Sequence, residues 1–314
     1  MRNDVAAQNG LLSKIVVQSS NLTPGLKEEA MLINLKHYHR PSDLQNALYL
    51  LRRPQVRTIP LAGGSSLLGS GDRSVEAVVD LQDLGLRYVR AGGDPATVSL
   101  GATATLADVS GSDAVRGLFD GLVARAAHRS AGSVLRNQAT VGGAVAVAGP
   151  ADELLVALLA CAAQVTVYTT VPMRLSLTEF LARRQELLAA HALIAEITVE
   201  QPPAQTFAAL ESVARTPADS AIVCAAAVLS FDGATCSSAR LALGGVGDTV
   251  LRVPDVEAML TNRKLSPELI KAAAQSVAES ADPAGDFRGS GAYRKAMAGA
   301  LAGRVLEKVR LQSC

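Results

Sequence analysis

Tryptophan is absent, and aromatic side chains make up only 3% of the 314 residues. A chain this long has to build a substantial interior, so that interior is filled mainly by Ala, Val and Leu, and two or three packed units are expected. An excess of one charge is missing too: thirty Lys and Arg against twenty-nine Asp and Glu leave a net charge of +1. No global field is available to grip nucleic acid or an anionic membrane surface. Long apolar runs are also lacking. The longest, 154–163 and 221–229, reach about half the length a membrane-spanning helix needs, so they read as buried elements and no membrane span is expected. The first twenty residues set Arg2, Asp4 and Lys14 around short apolar pieces, with no continuous apolar segment before a small-residue cleavage site. A cytoplasmic location is the expectation.

Cysteine is scarce. Cys161, Cys224, Cys236 and Cys314 are scattered, without a C-x-x-C pair or other cluster spacing, and read as reduced structural thiols. The sequon Asn21-Leu22-Thr23 has meaning only in a secreted protein. The four histidines, His37, His39, His128 and His191, show no H-E-x-x-H spacing, and no G-x-S-x-G elbow occurs. No side chain stands out as a catalytic acid, base or nucleophile. That pattern suits a protein whose chemistry is carried by a bound cofactor.

What the sequence does contain is alternation of helical and extended patterns punctuated by glycine. Residues 1–30 lack sustained periodicity and read as an N-terminal extension. Leu44, Ala47, Leu48 and Leu51 share one helical face behind a Pro41-Ser42-Asp43 start. Strands are expected at 56–61, 76–81, 98–103, 140–147, 164–169 and 193–199, and helices at 121–128, from Pro150 through Ala160, and at 178–188. The Pro202-Pro203 pair marks a boundary. Beyond it, strands are expected at 207–213, 222–231 and 239–246. Ser266-Pro267-Glu268 reads as the start of one helix, and 293–309 as a long terminal one.

Two glycine-rich loops carry the chemistry. The first runs Leu61-Ala62-Gly63-Gly64-Ser65-Ser66-Leu67-Leu68-Gly69, directly after a strand. Glycines there permit positive φ and let backbone amides approach a phosphate, and serine hydroxyls can add donors. An ordinary tight turn is the alternative. Gly64 and Gly69 have the P-loop interval, but Ser70 stands where the lysine must be, and no G-x-G-x-x-G occurs. The second loop, from Ser130 through Gln138 and Ala139 to Thr140-Val141-Gly142-Gly143, is again rich in glycine and hydroxyls. Two opposed sets of amides could clamp a pyrophosphate without a lysine. Taken singly, this segment could also be a turn between buried elements.

Together, the loops resemble those of the FAD-binding medium subunit of the molybdenum hydroxylases, the xanthine dehydrogenase and carbon monoxide dehydrogenase group. The family pattern A-G-G-[TH]-[DS]-L, then I-R-N-x-x-T-x-G-G-N and a later aspartate, reads here as Ala62 to Leu67, then Leu135 to Ala144, then Asp152. Tyr38-His39-Arg40-Pro41-Ser42-Asp43-Leu44 is similar to the opening before the family's first helix. Arg215-Thr216-Pro217-Ala218-Asp219-Ser220-Ala221 is similar to the start of its C-terminal domain, and Gly289-Ser290-Gly291-Ala292-Tyr293-Arg294 to the S-x-x-Y-R segment that begins its last helix.

The resemblance implies an α/β fold with two FAD-binding subdomains of the vanillyl-alcohol oxidase / PCMH type, at 31–90 and 91–203. A C-terminal domain at 204–314, a three-stranded antiparallel sheet with a helical bundle, would follow. It implies non-covalent FAD with its pyrophosphate between Leu61, Ala62, Gly63, Gly64, Ser65, Ser66, Leu67 and Thr140, Val141, Gly142, Gly143. Asp152 would bind the sugar end, and Leu193 and Ile194 would lie near the flavin. Molybdopterin and two [2Fe-2S] clusters would sit on a large and a small partner subunit, in a dimer of heterotrimers that passes electrons through this FAD to an external acceptor. Two departures appear: Ala144 replaces the usual asparagine, and Glu211 replaces a lysine that would place positive charge near the flavin. A free-standing reductase of the UDP-N-acetylenolpyruvoylglucosamine reductase type and a flavin-free assembly subunit are the alternatives.

Overall fold

The computed structural model describes residues 32–93, 96–216 and 219–313. The extension expected at 1–30, the sequon, Cys314 and the Pro217-Ala218 step lie outside the described residues.

Three sheets follow one another along the chain. In the first, β1 (His37–His39) leads into helix α1 (Leu44–Leu51), then β2 (Thr58–Leu61) and β3 (Ala77–Asp80). Asp43 caps α1 by accepting the Asn46 amide at 2.8 Å. The order is β1-β3-β2, all parallel. Pro60 is tolerated because β2 is an edge strand, where a missing N–H costs no ladder bond. Ala47, Leu48 and Leu51 of α1 close a small core with Val79, Leu81 and Leu193.

The second sheet is antiparallel, ordered β4-β5-β8-β6-β7. Its strands β4 (Val89–Gly92) and β5 (Thr97–Gly101) are followed by helices α2 (Leu122–Arg129), α3 (Val141–Val147) and α4 (Glu153–Ala160). Strands β6 (Gln164–Tyr168) and β7 (Pro172–Ser176), helix α5 (Leu177–Ala189) and strand β8 (Leu193–Glu200) complete it. Every residue of α4 is buried. A helix apolar on all sides has to be surrounded, and α4 packs between α2 and the sheet that follows.

That third sheet is built on β9 (Thr206–Val213), β10 (Val223–Asp232) and β11 (Thr235–Gly244), antiparallel, with two-residue strands β12 (Leu251–Arg252) and β13 (Arg263–Lys264) on β11. Central β10 is covered on both faces. Cys224, Ala226 and Val228 join the core around α4, while Ala225, Ala227 and Leu229 join the core beneath helices α6 (Pro267–Ser280) and α7 (Gly291–Gln312). Burial on both faces is why 221–229 reads as a continuous apolar run.

The structure departs from the sequence expectations in several places, with β1 and β4 among the strands not expected. Residues 140–147 form helix α3 and not a strand: Thr140 caps it, and Val141 and Val145, one turn apart, are fully buried. The next helix begins at Glu153 rather than at Pro150, because Asp152 takes the cap position. Strand β11 starts at Thr235, ahead of the expected 239–246, because Asp232 pairs with Thr235 across a two-residue turn in which Gly233 has φ +58°. Strand β7 was not expected at all; it opens on Pro172 at a sheet edge, a position proline permits.

Candidate functional site

Between the first and second sheets lies a cleft of about 210 Å³, lined by the β2–β3 loop, the start of α3, the end of α5 and the start of β8. Leu61, Ala62, Gly63, Gly64, Ser65, Ser66 and Leu67 form one wall, and Thr140, Gly142 and Gly143 another, with Leu193 and Ile194 completing it. Two of the expected residues stand apart from the lining. Val141 is fully buried and faces the core. Asp152 caps α4, its carboxylate accepting the Leu155 amide at 2.9 Å. Burial pushes the Asp152 carboxyl up, and the amides of Leu155 and Leu154 oppose that shift.

The two glycine loops touch. A Cβ on Gly63 would fall on the carbonyl oxygen of Gln138 and 3.3 Å from the Cα of Ala139, so only glycine lets this approach occur. Gly64 has φ +72°, which turns the chain over the cleft. Gly142 is pressed on the second sheet: a Cβ there would lie 2.7 Å from the Ala102 Cβ and 2.8 Å from its oxygen.

The loops differ in what they offer a ligand. Leu68 donates to the Gly64 oxygen at 3.0 Å and Ser70 to the Leu67 oxygen at 3.2 Å, yet the amides of residues 63–67 have no protein acceptor among the described residues. The amides at the start of α3 are already committed. Val141 donates to the Ala104 oxygen at 2.9 Å, Gly142 to the Ala102 oxygen at 2.9 Å and Gly143 to the Thr140 hydroxyl at 3.2 Å. The expected pair of amide cradles is therefore one cradle facing a tight, Cβ-free wall. Ser65 and Ser66 are exposed and add hydroxyls on the cradle side.

None of the lining side chains carries a charge. Glu211 does not face the cleft either: it points to the helical side of β9 and pairs with Lys308 of α7. Its neighbour Ser212 points the other way, to Arg129, which also pairs with the buried Glu153 at 3.2 Å. The lysine-to-glutamate departure thus alters a pair behind the sheet, away from the cleft. Ala144 does line the cleft and leaves its wall apolar.

Sequence reasoning missed Leu81, Ala102, Ala139, Leu188 and Ala192, which also line it. Ala139 lies within the second loop, next to Thr140, and Ala192 adjoins Leu193, so adjacency could have found both. Leu81, Ala102 and Leu188 arrive through tertiary packing, with no local signal. Such a cleft, with amides of one loop that have no protein acceptor among the described residues, glycines where a Cβ would block approach and apolar walls beyond, fits a dinucleotide whose phosphates meet backbone amides and whose ring lies against aliphatic groups.

Comparison with known proteins agrees with this chemistry. Residues 32–202 match the family described as FAD binding domain in molybdopterin dehydrogenase, and residues 208–309 match the CO dehydrogenase flavoprotein C-terminal domain. The chain is 30% identical over 275 residues to the carbon monoxide dehydrogenase medium chain of Hydrogenophaga pseudoflava, covering 86% of this chain and 95% of that one. It is 31% identical over 283 residues to the 6-hydroxypseudooxynicotine dehydrogenase complex subunit alpha of Paenarthrobacter nicotinovorans, covering 84% and 91%. Among solved structures, carbon monoxide dehydrogenase from Hydrogenophaga pseudoflava superposes with a TM-score of 0.82 at 30% identity, covering 89% of this chain and 98% of the other. Quinoline 2-oxidoreductase from Pseudomonas putida 86 superposes with a TM-score of 0.80 at 25% identity, covering 88% and 98%.

Proposed function

The chain belongs to the FAD-binding medium subunits of the molybdenum hydroxylases, oxidoreductase subunits of multisubunit complexes, and we propose that it passes electrons from [2Fe-2S] clusters of a small partner subunit through FAD to an external acceptor. A large molybdopterin-binding subunit oxidises the substrate in this reading. The same kind of chain serves proteins named for unlike substrates, among them carbon monoxide, glyceraldehyde and nicotine. That variety supports placing substrate choice on another subunit and the shared electron path on this one. The chain's own cysteines support the same division: Cys161, Cys224 and Cys236 are separately buried, and among the described residues no three His, Cys, Asp or Glu side chains converge as metal ligands.

The amides of residues 63–67, without a protein acceptor among the described residues and held against the second loop by Gly63, are the observation that carries the site assignment. They would bind the pyrophosphate. Thr140, Gly142 and Gly143 would form the opposite wall, and Leu61, Leu193 and Ile194 would keep water from the apolar part of the cofactor. Asp152, which caps the helix after that wall, would take the sugar hydroxyls. Bound FAD supplies a carrier that can accept electrons singly and release them in pairs. The subdomain limits 31–90, 91–203 and 204–314, a dimer of heterotrimers and a cytoplasmic location complete the proposal.

The test is purification of the full chain with its partner subunits, followed by absorption spectroscopy and mass determination in solution. Near-stoichiometric flavin bands and a mass of twice the heterotrimer are expected. Protein free of flavin bands would favour the assembly-subunit alternative and overturn the electron-transfer reading.

A further inference from the structure

Beneath the cofactor loop sits a buried carboxylate that the electron-transfer reading does not use. Asp80 ends β3 and is 1% exposed. It stands opposite Leu61, the last residue of β2 before the loop. Partners in a parallel register share a sheet face, so the Asp80 side chain lies on the Leu61 side, with Leu61 itself lining the cleft. Asp80 makes no salt bridge among the described residues, although Arg40 is a nearby cation. Its two oxygens are satisfied otherwise, one by the Gln82 amide at 2.9 Å and the other by the Tyr38 hydroxyl.

These bonds fix a turn that in turn holds the loop. The next residue, Leu81, donates its amide to the Leu61 oxygen at 2.9 Å and also lines the cleft. One peptide beyond Leu61, the chain enters the segment whose amides are free. Burial and the neighbouring Asp80 raise the Tyr38 hydroxyl above its ordinary range, which keeps it a donor at any physiological pH. Tyr38 opens the Tyr-His-Arg-Pro-Ser segment noted in the sequence, and its hydroxyl has no other hydrogen-bond partner among the described residues.

We propose that Tyr38 and Asp80 are a positioning pair for the cofactor loop: their hydrogen bond ties β1 to the end of β3, whose following residue Leu81 holds the Leu61 oxygen at the end of β2, and so sets the direction of the amides at 63–67 toward the FAD pyrophosphate. The assignment rests on the cofactor reading above. A preset loop binds without first ordering itself, so loss of the pair shows as weaker binding of a ligand that needs those amides. The strands themselves are also held by the fully buried Ala77, Val78 and Val79, whose side chains none of the substitutions below removes.

The experiment titrates FAD and riboflavin into the flavin-free full chain and follows flavin fluorescence, for wild type, Tyr38→Phe, Asp80→Ala and Asp80→Asn. Losing the bond is expected to raise the FAD Kd about tenfold in Tyr38→Phe and at least as much in Asp80→Ala. Asp80→Asn is expected to stay within about threefold of wild type, since an amide can accept from Gln82 and donate to the Tyr38 oxygen. Riboflavin has no pyrophosphate, and its binding is expected to be unchanged in all three. FAD binding unaltered by Tyr38→Phe, an Asn variant as weak as the Ala variant, or riboflavin affinity falling in step with FAD would each overturn the assignment. If Asp80→Ala does not fold, Tyr38→Phe decides, because it removes a single hydroxyl. A wild-type chain that binds no FAD would refute the cofactor reading instead.

Discussion

At the scale of single residues, the glycines of the cleft do different work and their substitutions separate. Gly63 lies where a Cβ would meet the Gln138 carbonyl oxygen, so Gly63→Ala has to push the two loops apart at a cost of about 1–3 kcal/mol. The expected result is a flavin-to-protein ratio roughly tenfold lower or worse at limiting FAD, measured by absorption, with the melting of the flavin-free chain lowered by a few degrees. A ratio equal to wild type would mean that the loop contact is irrelevant to the cofactor. Titration offers a second residue-scale test. The Arg294 guanidinium, 2.8 Å from Asp286, holds that carboxyl far below the ordinary carboxylate range, with Arg288 assisting. A carboxyl depressed in the folded state stabilises above its unfolded pKa, near ~3.9, and that contribution is lost as pH falls toward the folded value. The difference in urea midpoint between wild type and Asp286→Asn should therefore be flat above about pH 5 and close below about pH 4. A difference that instead vanished on going from pH 7 to pH 5 would refute this origin.

At the scale of elements, the sequence signals succeeded where local periodicity and packing agreed and failed where tertiary contact chose between two patterns. Helix α1 could be read from Asp43 and the face of Ala47, Leu48 and Leu51 because cap and stripe point to one answer. Segment 140–147 was misread because Val-Gly-Gly-Ala-Val-Ala-Val carries two glycines, poor helix formers, and β-branched residues at strand-like intervals. What decides for helix is the Thr140 cap and the pairing of Val141 with Val145 on one buried face, together with the seat of Gly142 on Ala102. The cleft itself was legible as two loops, since glycine spacing is local. Their inequality was not, because it depends on which amides Ala102 and Ala104 already occupy. The cap can be checked directly: Thr140→Ala should cost about 1 kcal/mol in denaturant midpoints. Gly142→Ala, where Ala102 is backed by the sheet, should cost about 1–3 kcal/mol. If Gly142→Ala is neutral, the helix has room that the geometry does not show.

At the scale of the whole molecule, the cofactor half and the C-terminal half share an interior, and this determines how the protein can be taken apart. The core around α4 includes Ala208, Leu210, Cys224, Ala226 and Val228 from the third sheet. The seam is tight: a Cβ on Gly244 would lie 2.7 Å from the Cys224 sulfur and 2.9 Å from a Val156 methyl. Gly245 donates to the Pro150 oxygen at 2.6 Å, and Asp120 accepts the Ala208 amide at 2.9 Å. Behind this seam the buried Arg294 of α7 donates to the Ile222 oxygen at 2.7 Å, so even the terminal helix is tied to the strand that covers α4. Removing the third sheet would expose one whole side of a helix that is apolar apart from Glu153, a surface of the kind that drives aggregation. A fragment ending at residue 203 is therefore expected to be aggregated or molten, binding a hydrophobic dye and eluting at high mass. The full chain is expected to unfold with coincident flavin-release and circular-dichroism transitions. A monomeric fragment of residues 1–203 that held FAD as tightly as the full chain would show that the cofactor half is self-sufficient and that α4 does not couple the halves.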